Sequence, residues 1–127
     1  MVVLDTLELS TADAVIDAEL VVGDIADEAL VEQICRDHEV DTIVHFAAYK
    51  NVGESMVEPS KYFRNNVDGT VRLLDAAHRA GVGQLVFSSS CSVYGTPERV
   101  PVDETQRIGP ESVYAETKAI VERILHW

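Results

Sequence analysis

Short apolar runs alternate with longer stretches of helical period along this chain, and that alternation constrains the fold more than any other feature. Strands that are apolar on both faces and separated by helices are typical of a parallel sheet covered on both sides. The pattern therefore predicts an α/β chain of the doubly wound class, in which ligands sit at the carboxyl ends of the strands. The predicted strands cover residues 2–4, 20–22, 42–47 and 85–88, and the predicted helices cover 27–38, 59–80 and 112–125.

Composition and charge exclude several classes of partner. The formal net charge is -12 with no local run of Lys or Arg, so we predict no nucleic-acid binding. No apolar run approaches the length of a membrane span, and the first residues lack the pattern of a signal peptide. Cys35 and Cys91 fit no metal or redox spacing, which predicts no metal site and favours a reducing compartment. We therefore expect a cytoplasmic protein.

Two acidic residues follow the first two predicted strands, and each has two interpretations. Asp5 at the end of the first strand could accept hydrogen bonds from the hydroxyls of an adenosine ribose, or be a solvated turn residue. Asp24, after the second strand, could accept from an adenine amino group, with Ile25 packing on the ring. Asp24 or Asp27 could instead cap the helix that follows.

The exits of the third and fourth strands carry residues suited to a ligand. Phe46, Ala47, Ala48 and Lys50 follow the third strand, where small residues let a ligand approach the backbone and the lysine supplies a charge. The fourth strand ends in three serines, residues 88–90. Hydroxyls clustered at a strand end are wasted in a core and useful at a site.

The last helix adds a tyrosine and a lysine four residues apart. Tyr114 and Lys118 face the same way on a helix, and an ammonium near a phenol favours the phenolate. Of the four tyrosines, only Tyr114 has a lysine at the fourth following position. Because this pair comes after a serine-tipped strand, Ser90, Tyr114 and Lys118 form a candidate catalytic trio.

Taken in chain order, these motifs resemble the extended short-chain dehydrogenase/reductase family, and within it the UDP-glucose 4-epimerases. The resemblance implies NAD as cofactor, a UDP-sugar as substrate and a homodimer for the intact enzyme. It also implies catalytic roles for Ser90, Tyr114 and Lys118. The matching stretches are residues 23–25, 44–50, 52–55, 62–70, 88–95 and 114–118. The positions it assigns to cofactor binding are Asp5, Asp24, Ile25, Phe46, Ala47, Ala48, Lys50, Asn65, Ser88, Tyr114 and Lys118.

Within the family, one position separates epimerases from dehydratases. The dehydratases place an Asp-Glu pair just after the strand-end hydroxyl, where the acid eliminates water. Here those positions hold Cys91 and Ser92, so the resemblance favours an epimerase.

The chain also departs from the family pattern. The family opens with a strand and a Gly-x-x-Gly-x-x-Gly turn, and none of the glycines here forms that turn. We therefore expect residues 1–127 to be a partial NAD-binding domain, with the first, central strand missing and no substrate domain. Such a piece should be inactive by itself. It should aggregate, swap domains, or rearrange so that the first and third predicted strands meet. The alternatives are a non-catalytic remnant or interaction module, or a relative that acts on another sugar nucleotide.

Overall fold

The computed structural model describes residues 1–127, and these residues form two compact units. The first unit comprises residues 1–47 and 69–86, and the second comprises residues 48–68 and 87–127. None of the helices combines the length and the apolar character that a membrane crossing requires.

Four short strands form two separate pairs in this structure. Strand β1 (Val2–Asp5) pairs in parallel with β2 (Glu19–Val22), and β3 (Thr42–His45) pairs with β4 (Gln84–Phe87). The α/β class predicted from the sequence is confirmed, with a partial sheet. Strands β1 and β3 do not pair, so the chain does not adopt the rearranged sheet in which they meet.

Five α-helices follow the predicted pattern with two corrections. The helix expected over residues 59–80 is interrupted, because residues Phe63–Asp68 form a π-helical turn. A short helix at residues 52–57 was not predicted. The observed helices are α1 (Glu28–Asp37), α2 (Val52–Val57), α3 (Pro59–Tyr62), α4 (Gly69–Ala80) and α5 (Val113–His126).

The helix ends are set by local residues that the sequence shows clearly. The side chain of Asp27 accepts a hydrogen bond from the Leu30 N–H and so caps α1, which decides between Asp27 and Asp24 as the cap. Helix α4 ends before Gly81, whose φ of 82° lies in the left-handed region that glycine adopts without strain.

The core of the first unit is an apolar cluster contributed by α1 and α4. Val31, Cys35, Leu73 and Ala76 are buried there, and strand side chains such as Leu4 pack against them. Other strand side chains are uncovered. Val44 is 53% exposed and Val86 is 56% exposed, whereas the prediction was a sheet covered on both faces.

Ion pairs join the same two helices at the surface. Arg79 on α4 donates to Glu28 and Glu32 on α1, each at 2.9 Å. All three side chains are partly exposed, so these pairs supplement an attachment made mainly by the apolar cluster.

A closed loop occupies part of the second unit between β4 and α5. A 3-10 turn at Cys91–Tyr94 leads to Gly95, whose φ is 60° and where a Cβ would collide with the Gly109 carbonyl oxygen. The Gly109 N–H donates to the Val93 carbonyl at 2.9 Å. Residues 96–108 are therefore pinched at the neck, and only glycine fits at position 95.

Candidate active site

Lys118 is a buried ammonium on α5 in the second unit. Its residue is only 4% exposed, and Nζ donates to the Ser88 carbonyl oxygen at 2.9 Å and lies 4.7 Å from the centre of the Phe87 ring. No carboxylate pairs with it. Burial without a counter-charge disfavours the protonated form and lowers the pKa of Lys118. Two N–H donors of the ammonium remain for a ligand.

The three serines at the end of β4 have different partners. The Ser88 carbonyl accepts a hydrogen bond from Lys118, and the Ser89 hydroxyl donates to Glu122, one helical turn beyond Lys118. The Ser90 hydroxyl accepts the Ser92 N–H at 3.2 Å and shares a hydrogen bond with the Ser92 hydroxyl at 2.8 Å. Ser90 therefore caps the 3-10 turn, and its oxygen is held at the strand end where the sequence predicted a reacting hydroxyl.

Tyr114 is half-buried in the first turn of α5. Its backbone N–H donates to the Ser55 hydroxyl at 3.1 Å, while the cap residue Ser112 accepts from Ala115. Lys118 follows one turn later on the same helix, so the two side chains project along one face. The first turn of α5 is thus fixed from outside the helix as well as by its own cap.

Asn66 connects the segment after β3 to α5. It is buried within the π-helical turn, accepts the Tyr49 N–H and donates to the Tyr49 carbonyl, both at 2.9 Å. The same amide nitrogen donates to Thr117, next to Lys118 on α5, at 3.1 Å. Asn65, assigned to cofactor binding from the sequence, donates its side-chain amide to Asn66.

The acidic residues of the first unit close tight turns and keep acceptor capacity. Asp5 accepts from the Leu7 N–H and the Ser10 hydroxyl through Oδ1, and Asp24 accepts from the Ala26 N–H through Oδ1. The second oxygen of each carboxylate makes no hydrogen bond. Asp5 thus closes a turn, as one of its two interpretations proposed, whereas Asp24 closes a turn and does not cap α1. Each carboxylate keeps an oxygen that could receive a ribose hydroxyl or an amino group. Ile25 packs partly against the apolar cluster of the first unit.

The residues after β3 are accessible. Phe46 is 71% exposed, Ala47 and Lys50 are exposed, and Ala48 is half-buried. Lys50 forms no ion pair. The backbone in this stretch carries small side chains that leave room for a ligand, as the sequence indicated.

Sequence reasoning missed the residues that hold the candidate groups in place. Ser55, Asn66 and Thr117 are buried polar residues, and Glu122 anchors a strand-end serine. A polar residue on an otherwise apolar helix face was the available signal for Thr117. The same signal existed for Asn66, which falls in the helical pattern of Tyr62 and Leu73. For Ser55 no such pattern exists, because its partner Tyr114 lies far away along the chain.

Comparison with known proteins then decides the family. The model of the NAD dependent epimerase/dehydratase family matches residues 2–127 of the chain. The chain belongs to the NAD dependent epimerase/dehydratase family. The resemblance stated from the sequence motifs is thereby confirmed.

Individual relatives agree with the family. The chain is 44% identical over 128 residues to a UDP-glucose 4-epimerase of Lactobacillus helveticus, covering 100% of this chain and 39% of that protein. A crystal structure of UDP-glucose 4-epimerase from Brucella ovis in complex with NAD has a TM-score of 0.95 at 41% identity, over 98% of this chain and 38% of that one. The enzyme from Stenotrophomonas maltophila, with bound NAD and formylated UDP-arabinopyranose, has a TM-score of 0.95 at 38% identity, over 98% and 40%. The chain therefore spans about two fifths of the length of these relatives.

The polar groups described above suit a nicotinamide dinucleotide in kind. The acceptor oxygens of Asp5 and Asp24 match ribose hydroxyls and an adenine amino group, and the spare donors of Lys118 match a ribose diol. The family to which the chain belongs is NAD dependent, so the residues present agree with the family's cofactor.

Proposed function

We propose that the protein containing this chain epimerises a UDP-hexose at C4, interconverting UDP-glucose and UDP-galactose through a transient 4-keto sugar. The observation that carries the proposal is the buried, unpaired Lys118 tied to the serine-tipped strand one helical turn after Tyr114. Support comes from the identity to UDP-glucose 4-epimerases over the whole chain. Galactose metabolism is the corresponding role.

Three side chains act in this mechanism. The Tyr114 phenolate removes the proton from the sugar 4-hydroxyl, and the Ser90 hydroxyl hydrogen-bonds the reacting oxygen. Lys118 holds the cofactor ribose through its spare N–H donors and favours the phenolate form of Tyr114 by its charge. NAD, when bound, supplies the acceptor and later the donor of the C4 hydride. After the keto sugar turns over, Tyr114 returns the proton to the oxygen.

The remaining assignments concern cofactor binding by residues 1–127, which we propose form part of an NAD-binding domain. The unused carboxylate oxygens of Asp5 and Asp24 support this role, as does the accessible backbone after β3. The proposed contacts are Asp5, Asp24, Ile25, Phe46, Ala47, Ala48, Lys50, Asn65, Ser88, Tyr114 and Lys118.

Epimerisation is favoured over dehydration by the residues that follow Ser90. Elimination of water needs an acid beside the reacting centre, and Cys91 and Ser92 supply a thiol and a hydroxyl there. Cys91 is exposed and unbonded to Cys35, which supports a reducing, cytoplasmic setting. We further propose that the gene-encoded protein forms a homodimer.

The test is an assay of the gene-encoded protein against a panel of UDP-sugars. We expect interconversion of UDP-glucose and UDP-galactose without a dehydrated product. Turnover of only an N-acetylated UDP-sugar would move the proposal to another substrate in the same class. No turnover of any UDP-sugar by a folded, NAD-loaded protein would refute it in favour of a non-catalytic role.

A second measurement addresses residues 1–127 by themselves. They span about two fifths of the relatives' length, so we expect no turnover and weak or no binding of NAD. Titration calorimetry with NAD measures this directly, and tight binding would show that these residues form a sufficient phosphate site.

A further inference from the structure

Ser55 is a fully buried serine on α2 whose hydroxyl forms hydrogen bonds with two backbone groups. Its Oγ donates to the Val52 carbonyl at 2.6 Å and accepts from the Tyr114 N–H at 3.1 Å. The first of these bonds fixes the hydroxyl on its own helix. The second reaches a residue 59 positions further along the chain, and that residue carries the candidate reacting phenol.

The Tyr114 N–H needs an acceptor from outside its helix. The first four N–H groups of an α-helix have no partner within the helix, and Tyr114 is the second residue of α5. Ser112 accepts from the Ala115 N–H and Ser55 accepts from the Tyr114 N–H, so each serine satisfies a different N–H group at this helix end. Ser55 is the one that acts on the backbone of Tyr114 itself.

Helix α2 is itself fixed, so Ser55 presents a rigid acceptor. Glu54 accepts from Lys61 at 2.8 Å and from the hydroxyl of buried Tyr62 at 2.7 Å. These hydrogen bonds lower the pKa of Glu54 and keep it charged. At the start of the helix, the Asn51 side chain accepts the Glu54 N–H at 3.0 Å.

We infer that Ser55 is a positioning residue for Tyr114, holding the backbone of the tyrosine so that its phenol meets the sugar hydroxyl. This inference rests on the proposed function, in which that phenol exchanges the proton. A misplacement of about 1 Å can cost roughly a hundredfold in rate. The contact therefore governs turnover while leaving ligand affinity alone.

The test compares three serine-to-alanine variants of the gene-encoded protein. Ser55→Ala should lower kcat roughly ten- to hundredfold, with KM for the UDP-sugar and Kd for NAD within about twofold. Ser60→Ala, at an exposed position of α3 whose side chain makes no hydrogen bond, should keep normal kcat. Ser112→Ala removes a comparable bond from the same helix end but not from Tyr114, so its kcat should fall clearly less.

Near-isosteric Ser55→Cys covers the case in which the alanine variant does not fold. It fills the same space with a weaker acceptor, and its kcat should lie between those of wild type and alanine. Equal kcat losses in Ser55→Ala and Ser112→Ala, or a loss confined to KM, would overturn the inference.

A readout independent of activity separates this inference from the proposed function. With ring-labelled tyrosine, the NMR resonance of the Tyr114 ring, assigned by its loss in Tyr114→Phe, should move in Ser55→Ala and Ser55→Cys and stay in Ser60→Ala. An unmoved ring resonance in a folded Ser55 variant refutes the positioning role. Absence of epimerase activity in wild type refutes the proposed function and leaves this measurement decisive for Ser55.

Discussion

The interior of each of the two units is stabilised mainly by a different kind of interaction. The first unit is centred on apolar side chains such as Val31 and Leu73, with ion pairs at its surface and one buried hydrogen bond, between His45 and Thr70. The second unit buries polar groups, among them Ser55, Asn66 and Lys118, each hydrogen-bonded to a specific partner. Apolar packing tolerates exchanges between apolar side chains of similar volume, whereas a buried hydrogen bond requires a donor and an acceptor in one geometry. The precise geometry lies in the unit that carries the candidate catalytic trio.

The largest expected effect comes from Tyr114→Phe in the gene-encoded protein. The ring keeps its packing but has no proton to exchange, so kcat should fall roughly 10²–10⁴-fold with NAD still bound. Steady-state kinetics and NAD titration measure both quantities. Leu73→Met in the first unit is the matched control and should leave kcat unchanged. If the phenylalanine variant turns over at a near-normal rate, Tyr114 has no catalytic role. The precise hydrogen-bonded geometry of the second unit would then not be explained by catalysis.

The second prediction compares one shape-conserving substitution in each unit. Asn66→Asp replaces an amide that donates to the Tyr49 carbonyl and to Thr117 with a carboxylate that cannot donate, and should cost roughly 3 kcal/mol of unfolding free energy. Leu73→Met should cost less than about 1.5 kcal/mol. Urea denaturation with unchanged m-values measures both. Equal costs would show that the two interiors do not differ in the way proposed here.

Several of these features could be predicted from the sequence because their causes are local. The strand runs and Gly81 after α4 depend on residues within a few positions of one another and were found, although β3 ends two residues earlier than predicted. The helix cap was narrowed to Asp24 or Asp27, and the structure assigns it to Asp27. The six-residue helix α2 is too short to show a period. The π-helical turn and the contacts of Ser55 and Asn66 depend on partners that only the fold brings close. The sequence motifs therefore indicated the catalytic candidates, whereas the buried residues that hold them in place could not be identified as such from the sequence.

The third prediction concerns pH and the buried Tyr62 of the second unit. Burial, together with the hydrogen bond to Glu54, raises the pKa of Tyr62 from 10.0 to about 12. The folded state therefore keeps this proton where the unfolded state loses it. The stabilisation is complete below pH 10 and is lost as the pH rises towards 12.

Its measurement is the difference in unfolding free energy between wild type and Tyr62→Phe across that range. The difference should be constant below pH 10 and shrink between pH 10 and about 12. Glu54→Gln removes the charge that opposes ionisation of Tyr62, so the pH range over which the stabilisation is lost should become narrower. A difference in unfolding free energy that does not change with pH would contradict the raised pKa of Tyr62 in the folded state.

The smallest effect is expected at the surface of the first unit. Arg79→Met removes the ion pairs with Glu28 and Glu32, and should lower the unfolding free energy by less than about 1 kcal/mol because the partners are partly exposed. High salt should reduce the difference further, since it screens exposed charges. A larger, salt-insensitive loss would mean that these ion pairs contribute to the stability of the first unit as strongly as buried contacts do.

The close approach of Gly95 and Gly109 means that a change in the length of residues 96–108 need not disturb the rest of the second unit. Residues 96–108 leave and return at nearly the same point, held by the hydrogen bond from Gly109 to Val93. Lengthening a closed loop costs only about 0.6 kcal/mol for each doubling of its length. Insertions can therefore accumulate there during evolution, and a reporter peptide can be spliced in, while the two glycines keep the ends of the segment where they are.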